Sequence, residues 1–317
     1  MSFGNLLVTS SGDKVPLIQS AVSAARRVSS EISVIAGDIS ANVTSRFFSD
    51  FFWEMPPLSS DTVADIIDGC RLRGIRFILP TRDGELVFWA ENRGLFMEEG
   101  IRVFVSSPAA VHVCLDKVAF HDHCCANGIE TIPTSVVAPK ALEQRYVIKE
   151  RYGSGARSLC ITDDDVKFGQ HVLSLRSPIF QPFYEGSEFS LDAYTTESGR
   201  VFGMICRFRL RVSNGESVIT ETFRSDRAES LSCLFLDSLN FYGPVVIQGF
   251  ISGDKVTLME CNPRFGGCST TSSSLGLDLI YLLLFEACFG ESLLKDFSRP
   301  AREVRLVRYA ADRIDFL

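Results

Sequence analysis

The feature that most constrains the fold is the alternation of strand-like and helix-like segments over the first 85 residues. The apolar run Asn5–Val8 passes through a Ser-Gly turn into a helix that carries Pro16 in its first turn. Further apolar strands are predicted at residues 32–36 and 75–80, and a helix with regular apolar spacing at residues 61–73. This rhythm predicts an α/β region built on a parallel, doubly wound sheet.

Beyond residue 129 the pattern changes to short strands separated by Gly, Ser and Asp. Such spacing is typical of antiparallel hairpins and predicts an α+β region. A chain of 317 residues is long enough for about two domains. The predicted strands are residues 145–149, 158–161, 179–183, 188–194, 201–207, 217–222, 244–251 and 255–261, and the predicted helices are 163–175 and 228–239.

Composition and charge exclude several classes of protein. The net charge is −7, from 32 Lys and Arg against 39 Asp and Glu, so the basic surface of a nucleic-acid binder is absent. The most apolar stretch, residues 275–289, contains Asp278 and Glu286 and is too short to cross a bilayer, so it is predicted to be a buried helix. The ten cysteines include no C-x-x-C pair and six of them lie in apolar runs. We therefore expect reduced thiols and a cytoplasmic protein that binds no membrane.

A hairpin near the C-terminal end predicts a metal site. Two apolar runs flank Ser-Gly-Asp-Lys at residues 252–255, which is typical of a hairpin turn. In a hairpin folded about this turn, two residues lie opposite each other when their sequence numbers add up to about 507 or 508. Gln248 accordingly faces Met259 or Glu260, while Glu260 and Asn262 share one side of their strand. One carboxylate and two amides would suit Mg²⁺ together with substrate phosphates. The alternative is an ordinary polar, solvent-facing strand surface.

A second candidate element is a glycine loop that follows a lysine-ending strand. Lys149 closes the predicted strand, and Gly153, Ser154 and Gly155 follow within six residues. Backbone N–H groups of such a loop can approach phosphate oxygens, and the lysine adds a positive charge. A plain hairpin turn is the alternative interpretation.

The third candidate element is an extended apolar segment suited to a nucleobase. Gln181, Pro182 and Phe183 have backbone groups that could bond the edge of adenine. Glu188, five residues further on, could accept hydrogen bonds from ribose hydroxyls.

Taken in order, these elements resemble the ATP-grasp superfamily, in particular its carbamoyl-phosphate-synthase-like and carboxylate–amine ligase branch. The resemblance covers nearly the whole chain. The segment 79–86 is similar to the end of the family's Rossmann-like domain, and Leu-Asp-Lys at residues 115–117 to the entry into the grasp domain. Lys149 with the glycine loop is similar to the nucleotide-binding part, and Glu-Cys-Asn-Pro-Arg-Phe-Gly-Gly at residues 260–267 to the metal-binding signature.

The resemblance implies a Rossmann-like pre-ATP-grasp domain at residues 1–110 and a two-lobed ATP-grasp domain at residues 111–317. Its small lid lobe would span about 118–183 and its C-terminal lobe about 184–317. The cofactors would be ATP and Mg²⁺. The implied nucleotide-binding residues are Lys117, Lys149, Gly153, Ser154, Gly155, Gln181, Pro182, Phe183 and Glu188; the implied metal ligands are Gln248, Glu260 and Asn262; the implied catalytic residues are Arg264 and Arg207.

Two of these assignments have alternatives. Many relatives carry an acidic residue where this chain has Gln181, which leaves the preferred nucleotide open between ATP and others. Arg207 would contact either the γ-phosphate or a substrate carboxylate. Its alternative is a place in a solvated basic strand, since Arg209 and Arg211 follow at the same spacing.

The function implied by the resemblance is ligation of a carboxylate to an amine through an acyl phosphate, with release of ADP and phosphate. Carbamate or bicarbonate chemistry is a second hypothesis, although the chain has length for one grasp unit only. A nucleotide-binding module that serves a partner enzyme without turnover is the third. The expected partners are small carboxylate and amine substrates, with a homodimer as one expected assembly.

Overall fold

The structure, a computed structural model, describes residues 3–153, 155 and 158–315. The described residues form three β-sheets and the helices that connect and cover their strands. The helices are α1 (Val15–Val28), α2 (Val63–Leu72), α3 (Leu86–Glu98), α4 (Pro108–Leu115), α5 (Lys117–Ala126), α6 (Asp165–Leu173), α7 (Asp226–Asp237), α8 (Thr270–Ser273) and α9 (Leu279–Phe289).

The first sheet is parallel and has five strands in the order β3-β2-β1-β4-β5. Its strands are β1 (Asn5–Val8), β2 (Val34–Asp38), β3 (Phe51–Glu54), β4 (Ile75–Leu79) and β5 (Arg102–Val103). This confirms the predicted doubly wound sheet. The sequence analysis does not predict β3, a four-residue edge strand (Phe-Phe-Trp-Glu) in which only Trp53 is buried.

The remaining strands form two separate sheets. A small sheet has the order β7-β6-β8, and a six-stranded sheet has the order β13-β12-β9-β10-β11-β14, antiparallel throughout. The strands are β6 (Tyr146–Glu150), β7 (Cys160–Thr162), β8 (Pro178–Pro182), β9 (Ser187–Thr195), β10 (Val201–Ser213), β11 (Glu216–Phe223), β12 (Gly243–Ser252), β13 (Lys255–Asn262) and β14 (Arg305–Val307). The predicted α+β region is thus confirmed.

One hydrophobic core joins the first sheet to the last lobe. Ile18 of α1 and Leu283 of α9 are both fully buried in it, together with Leu6 of β1 and Tyr194 of β9. The predicted buried helix at residues 275–289 corresponds to α9, whose apolar side chains face this shared core. The core thus packs one face of the first sheet, through α1 and α9, against residues of the six-stranded sheet.

The six-stranded sheet has its own core on one face. Phe189, Leu191 and Cys261 are buried there against α7, and Phe120 of α5 packs into the same core. Helix α5 therefore packs with the six-stranded sheet, and the first strand of the small sheet is β6. The predicted boundaries of domains and lobes stay predictions.

All ten cysteines are free thiols. In the described part of the chain, no helix is long and apolar enough to cross a membrane.

Candidate active site

The candidate site lies on the polar face of the six-stranded sheet. Residues of β9 alternate, so that Phe189 and Leu191 point into the core while Glu188, Ser190 and Asp192 point to the opposite face. Strand pairing aligns Ser190 with Arg207 of β10 and Gln248 of β12. Side chains of three neighbouring strands, β10, β9 and β12, thus meet on one surface.

The three predicted metal ligands come together on this surface. Gln248 pairs with Glu260, and Val246 pairs with Asn262, so Glu260 and Asn262 lie beside Gln248 on the same face. The sum of paired numbers is 507 near the turn and 508 beyond a β-bulge between Gln248 and Gly249. The bulge therefore decides between the two predicted registers, and it turns Glu260 rather than Met259 toward the site.

The donor set fits Mg²⁺ held partly by a nucleotide. Within residues 3–153, 155 and 158–315, no group of three or more His, Cys, Asp or Glu could hold a metal ion. The site offers one carboxylate from Glu260 and amide oxygens from Gln248 and Asn262. Mg²⁺ is commonly bound by one or two carboxylates plus substrate phosphates, so this set suits a metal that arrives with ATP.

A buried carboxylate, that of Asp192, anchors the side chain of Arg207. Its guanidinium donates to Asp192 through Nε at 3.0 Å and Nη2 at 3.2 Å, and both side chains are almost fully buried. Ser269 and Ser272 each donate a 2.7 Å hydrogen bond to the same carboxylate. The interpretation of Arg207 as part of a solvated basic strand is therefore wrong. Burial alone would lower the pKa of Arg207, but attraction to Asp192 raises it above its ordinary value.

The free side of Arg207 faces a small cavity. Its Nη1 is buried and has no hydrogen-bond partner among the described residues. The cavity is about 80 Å³, and its lining includes Arg207, Arg209, Arg264, Gln248, Asn262 and the main chain of Gly266 and Gly267, together with one acidic residue, Glu216. An unpaired buried donor of this kind favours an anionic ligand, because leaving it unsatisfied costs about 1–3 kcal/mol.

Lys149 of the small sheet lies near Glu260, one of the predicted metal ligands. It is 8% exposed, and burial lowers the pKa of its ammonium to about 8, opposed mainly by attraction to Glu260. Lys117, the first residue of α5, lies close enough to lower that pKa further. Both lysines therefore face the same cleft as Glu260.

The start of the glycine loop is held by α5. Lys117 Nζ donates to the carbonyl of Gly153 at 2.8 Å, and Asp116 accepts a bidentate pair from Arg151 at 2.7 and 2.5 Å. Gly153 has a φ angle of +103° and Gly155 one of +80°, backbone conformations that residues other than glycine rarely adopt. Ser154, predicted to contact phosphate, lies outside the described residues.

The predicted adenine segment offers fewer donors than its sequence suggests. Pro182 has no N–H, and the N–H of Phe183 donates to the carbonyl of Arg145 at 2.8 Å. The side-chain amide of the buried Gln181 donates to Thr134 Oγ1 at 2.8 Å. Pro182 and Phe183 therefore offer no free N–H group to a base, and the assignment of residues 181–183 to the adenine stays a prediction.

Glu188 lies at the other end of the same face. It forms an ion pair with Arg209 at 2.8 Å, and burial raises the pKa of its carboxyl although that arginine opposes the shift. Arg209 Nη2 also donates to the carbonyl of Gly215 in the β10–β11 turn at 3.0 Å. The structure thus places Glu188 in the cleft, already oriented by a cation.

Several residues of the site are not found by the sequence analysis. Asp192 follows Glu188 and Ser190 at a spacing of two, so the alternation in Glu-Phe-Ser-Leu-Asp is a signal for it. Asp83 has no such signal. It reaches Arg264 from the first sheet with Oδ–N distances of 2.6 and 2.7 Å, a contact across 181 positions.

Comparison with known proteins agrees with this arrangement. Residues 174–309 match the family described as "ATP-grasp in the biosynthetic pathway with Ter operon", and residues 6–104 match the "PylC-like, N-terminal domain". No curated protein matches the chain in sequence.

Among solved structures, three similar chains illustrate the fold. The L-amino acid ligase from Bacillus licheniformis is 15% identical with a TM-score of 0.74, over 95% of this chain and 79% of that one. N5-carboxyaminoimidazole ribonucleotide synthetase from Thermus thermophilus is 15% identical with a TM-score of 0.73, over 95% and 82%. The biotin carboxylase domain of Hydrogenobacter thermophilus 2-oxoglutarate carboxylase, solved with MgADP and bicarbonate, is 15% identical with a TM-score of 0.70, over 92% and 71%.

The fold and the polar face thus define a two-domain nucleotide-dependent enzyme of the α/β and α+β type. The chain carries an ATP-grasp domain, matched over residues 174–309, behind a PylC-like N-terminal domain, matched over residues 6–104. ATP-grasp enzymes are ligases that use ATP with Mg²⁺, which confirms the predicted enzyme class and cofactors.

Proposed function

We propose that the protein activates a small carboxylate as an acyl phosphate and couples it to an amine, releasing ADP and phosphate. The observation that supports this most is the convergence of Gln248 and Asn262 with two anchored arginines around one small cavity. Glu260 pairs with Gln248 on the same face of the sheet. A site of this kind can hold a metal–nucleotide complex at one end and an anion at the other.

The proposed reaction has two steps. In the first, a carboxylate oxygen of the substrate attacks the γ-phosphorus and the bond to the bridging oxygen of ADP breaks. In the second, the amine attacks the acyl carbon, phosphate leaves and the amine loses a proton. Catalysis of both steps requires mainly positioning and neutralisation of negative charge.

The proposed roles follow from where each side chain lies. Lys149, Lys117 and the glycine loop would bind the ATP phosphates, the segment after Gln181 the base, and Glu188 the ribose. Gln248, Glu260 and Asn262 would hold Mg²⁺, which when bound supplies charge neutralisation at the phosphates. The proposed anion-binding groups are Arg207 Nη1, Arg264 and the main chain of Gly266 and Gly267.

A paired-substrate screen for ADP release tests the proposal. Carboxylates and amines are offered singly and in pairs with ATP and Mg²⁺, and bicarbonate is included as a carboxylate. We expect ADP only when acid and amine are both present. ADP formed with bicarbonate alone would favour carbamate chemistry, and ATP binding without ADP in any pair would favour a non-catalytic module.

Glu260→Gln provides the matched variant for this screen. It keeps the size and an oxygen ligand but removes the only carboxylate of the proposed metal set. We expect ADP release to fall by about 100-fold or more, because metal-assisted charge stabilisation is worth several kcal/mol. Activity retained in Glu260→Gln would contradict the proposed metal site.

The proposal extends to the location and the assembly of the protein. We propose a cytoplasmic protein, since all ten cysteines are free thiols. A homodimer is the proposed assembly, and light scattering coupled to size-exclusion chromatography would decide it against a monomer of 35.1 kDa.

A further inference from the structure

Arg264 is tied to the N-terminal domain by a bidentate ion pair. Its Nε and Nη2 donate to the two carboxylate oxygens of Asp83 at 2.6 and 2.7 Å, and both side chains are less than one-fifth exposed. Its Nη1 donates to the carbonyl of Phe265 at 3.2 Å. This geometry fixes the plane of the guanidinium and leaves one edge of it toward the cavity.

Asp83 stands on a loop whose backbone is itself fixed. Glu85, 1% exposed, accepts a 2.8 Å hydrogen bond from the N–H of Thr81. The same carboxylate accepts from the hydroxyl of Thr9 at 2.8 Å and from the indole of Trp89 at 3.1 Å. A buried carboxylate with this many donors is costly to disturb, so the loop after β4 has one stable conformation.

Lys14, the residue that precedes helix α1, holds this loop through three hydrogen bonds. Lys14 Nζ donates to the carbonyl of Ser10 at 2.9 Å, and to the carbonyl and hydroxyl of Thr81 at 3.1 and 2.7 Å. Strands β1 and β4 are adjacent at the point where the strand order of the sheet reverses. Open α/β sheets bind their ligands at such a point, beyond the carboxyl ends of the strands. In this protein Asp83 follows β4 at that point, and its carboxylate contacts Arg264.

Arg264 has other partners within reach if Asp83 is lost. Asn262 Oδ1 lies 3.5 Å from Nη2, and Glu260 and Glu216 also attract the guanidinium. A nearly buried cation without its partner moves toward the next available acceptor. In this site those acceptors include two of the proposed metal ligands, Asn262 and Glu260, so the arginine would be drawn toward the metal ligands instead of toward a bound phosphoryl group.

We propose that Asp83 is a positioning residue that holds Arg264 toward the phosphoryl group, so that the N-terminal domain completes the active site of the ATP-grasp domain. The proposal rests on the proposed function, in which Arg264 stabilises that group. An ion pair that only fastens two domains together would stabilise the fold and leave the affinity for a transferring phosphoryl group unchanged.

The test measures the binding of Mg²⁺, ADP and aluminium fluoride, which together mimic a phosphoryl group in transfer, against the binding of MgADP alone. The variants are Asp83→Asn, which removes the charge at constant size, and Asp83→Glu, which restores it. Glu99→Gln is the control, since it neutralises the partner of Arg71 on the surface of the same domain. Thermal unfolding of each variant reports the fold.

We expect Asp83→Asn to weaken the aluminium fluoride complex by about 10- to 100-fold, the usual effect of losing a charge-assisted hydrogen-bonded pair, with MgADP affinity within about twofold. Asp83→Glu should recover part of this loss, and Glu99→Gln should match the wild type. In a working ligase assay, kcat should fall for Asp83→Asn while the KM for ATP stays unchanged.

Equal aluminium fluoride affinity in wild type and Asp83→Asn would overturn the proposal, as would a wild type that binds the mimic no better than MgADP. If Asp83→Asn does not fold, Asp83→Glu decides: its displaced carboxylate must weaken the mimic more than MgADP, and equal effects overturn the proposal. No turnover in the paired screen would count against the proposed function alone, because the binding experiment needs no substrate.

Discussion

At the scale of single residues, the site depends on charges whose partners lie far away in the sequence. Arg207 and Arg264 are each held by one carboxylate, Asp192 and Asp83, through two hydrogen bonds. Each pair leaves part of the guanidinium facing the cavity. Such pre-set donors need no reorganisation when an anion arrives, which is the physical basis of electrostatic catalysis.

Lys149 is the residue whose protonation should be coupled to nucleotide binding. Its folded pKa of about 8 lies below the ordinary 10.5, because burial disfavours the charged form. Between these two values the unfolded chain holds a proton that the folded chain has released, so this lysine makes the free protein more stable as pH rises through that window. Phosphates restore the charge, so ATP binding near pH 9 should take up close to one proton.

Calorimetry in buffers of different ionisation enthalpy measures that proton. We expect ATP affinity to fall by up to about tenfold per pH unit above pH 8. Lys149→Arg is the matched control, because arginine stays charged and should show a much smaller slope. Equal slopes in the two proteins would contradict the assignment of this proton to Lys149.

At the scale of elements, the β12–β13 hairpin decides which side chains reach the site. The bulge next to Gly249 shifts the pairing by one residue, and the shift brings Glu260 to the polar face. A Cβ atom on Gly249 would lie 2.4 Å from the carbonyl oxygen of Thr257 and 2.9 Å from the ring of Phe189. Glycine is therefore required where the bulge passes the neighbouring backbone.

Gly249→Ala should destabilise the hairpin by about 1–3 kcal/mol, the usual cost of forced overpacking. Because relief of the clash moves β13, we also expect Mg²⁺-dependent ADP release to fall more than ATP binding does. Gly94→Ala is the control, since no atom lies within 4 Å of its added methyl group. Denaturant unfolding and the ADP assay check both effects, and a Gly249→Ala protein with wild-type stability and activity would refute the role of the bulge.

At the scale of the whole molecule, the shared core couples the N-terminal domain to the C-terminal lobe. Helices α1 and α9 contribute Ile18 and Leu283 to one continuous set of buried side chains. Both tryptophans, Trp53 and Trp89, lie in the separate core of the first sheet. Tryptophan fluorescence therefore reports the N-terminal domain alone.

Leu283→Ala should consequently shift a transition that is observed in the other domain. We expect a loss of about 2–5 kcal/mol in unfolding free energy, typical of truncating a buried leucine, seen equally by tryptophan fluorescence and by far-ultraviolet circular dichroism. Leu234→Ala, at a residue that is 57% exposed, should leave both unchanged. A fluorescence midpoint that does not move in Leu283→Ala would mean that the two domains unfold independently.

The same difference in scale explains how much the sequence could predict. Local patterns located most helices and strands within a few residues, because period and turn residues depend on near neighbours: the strand predicted at 75–80 is β4 (Ile75–Leu79). The hairpin turn brought Gln248, Glu260 and Asn262 together, but it left two registers open. The sequence did not reveal that the N–H of Phe183 is already bonded to the carbonyl of Arg145, because that contact joins two segments predicted separately.

The sequence by itself determined the parallel first sheet, the antiparallel second part, the family and the residue types of the site, all of which are encoded in local period and in ordered motifs. Only the tertiary structure decided that Arg207 is buried on Asp192, that a bulge presents Glu260, and that Asp83 of one domain holds Arg264 of the other. The physical reason is that these contacts depend on the packing of whole sheets, and ion pairs between residues 181 positions apart leave no periodic signal in the chain.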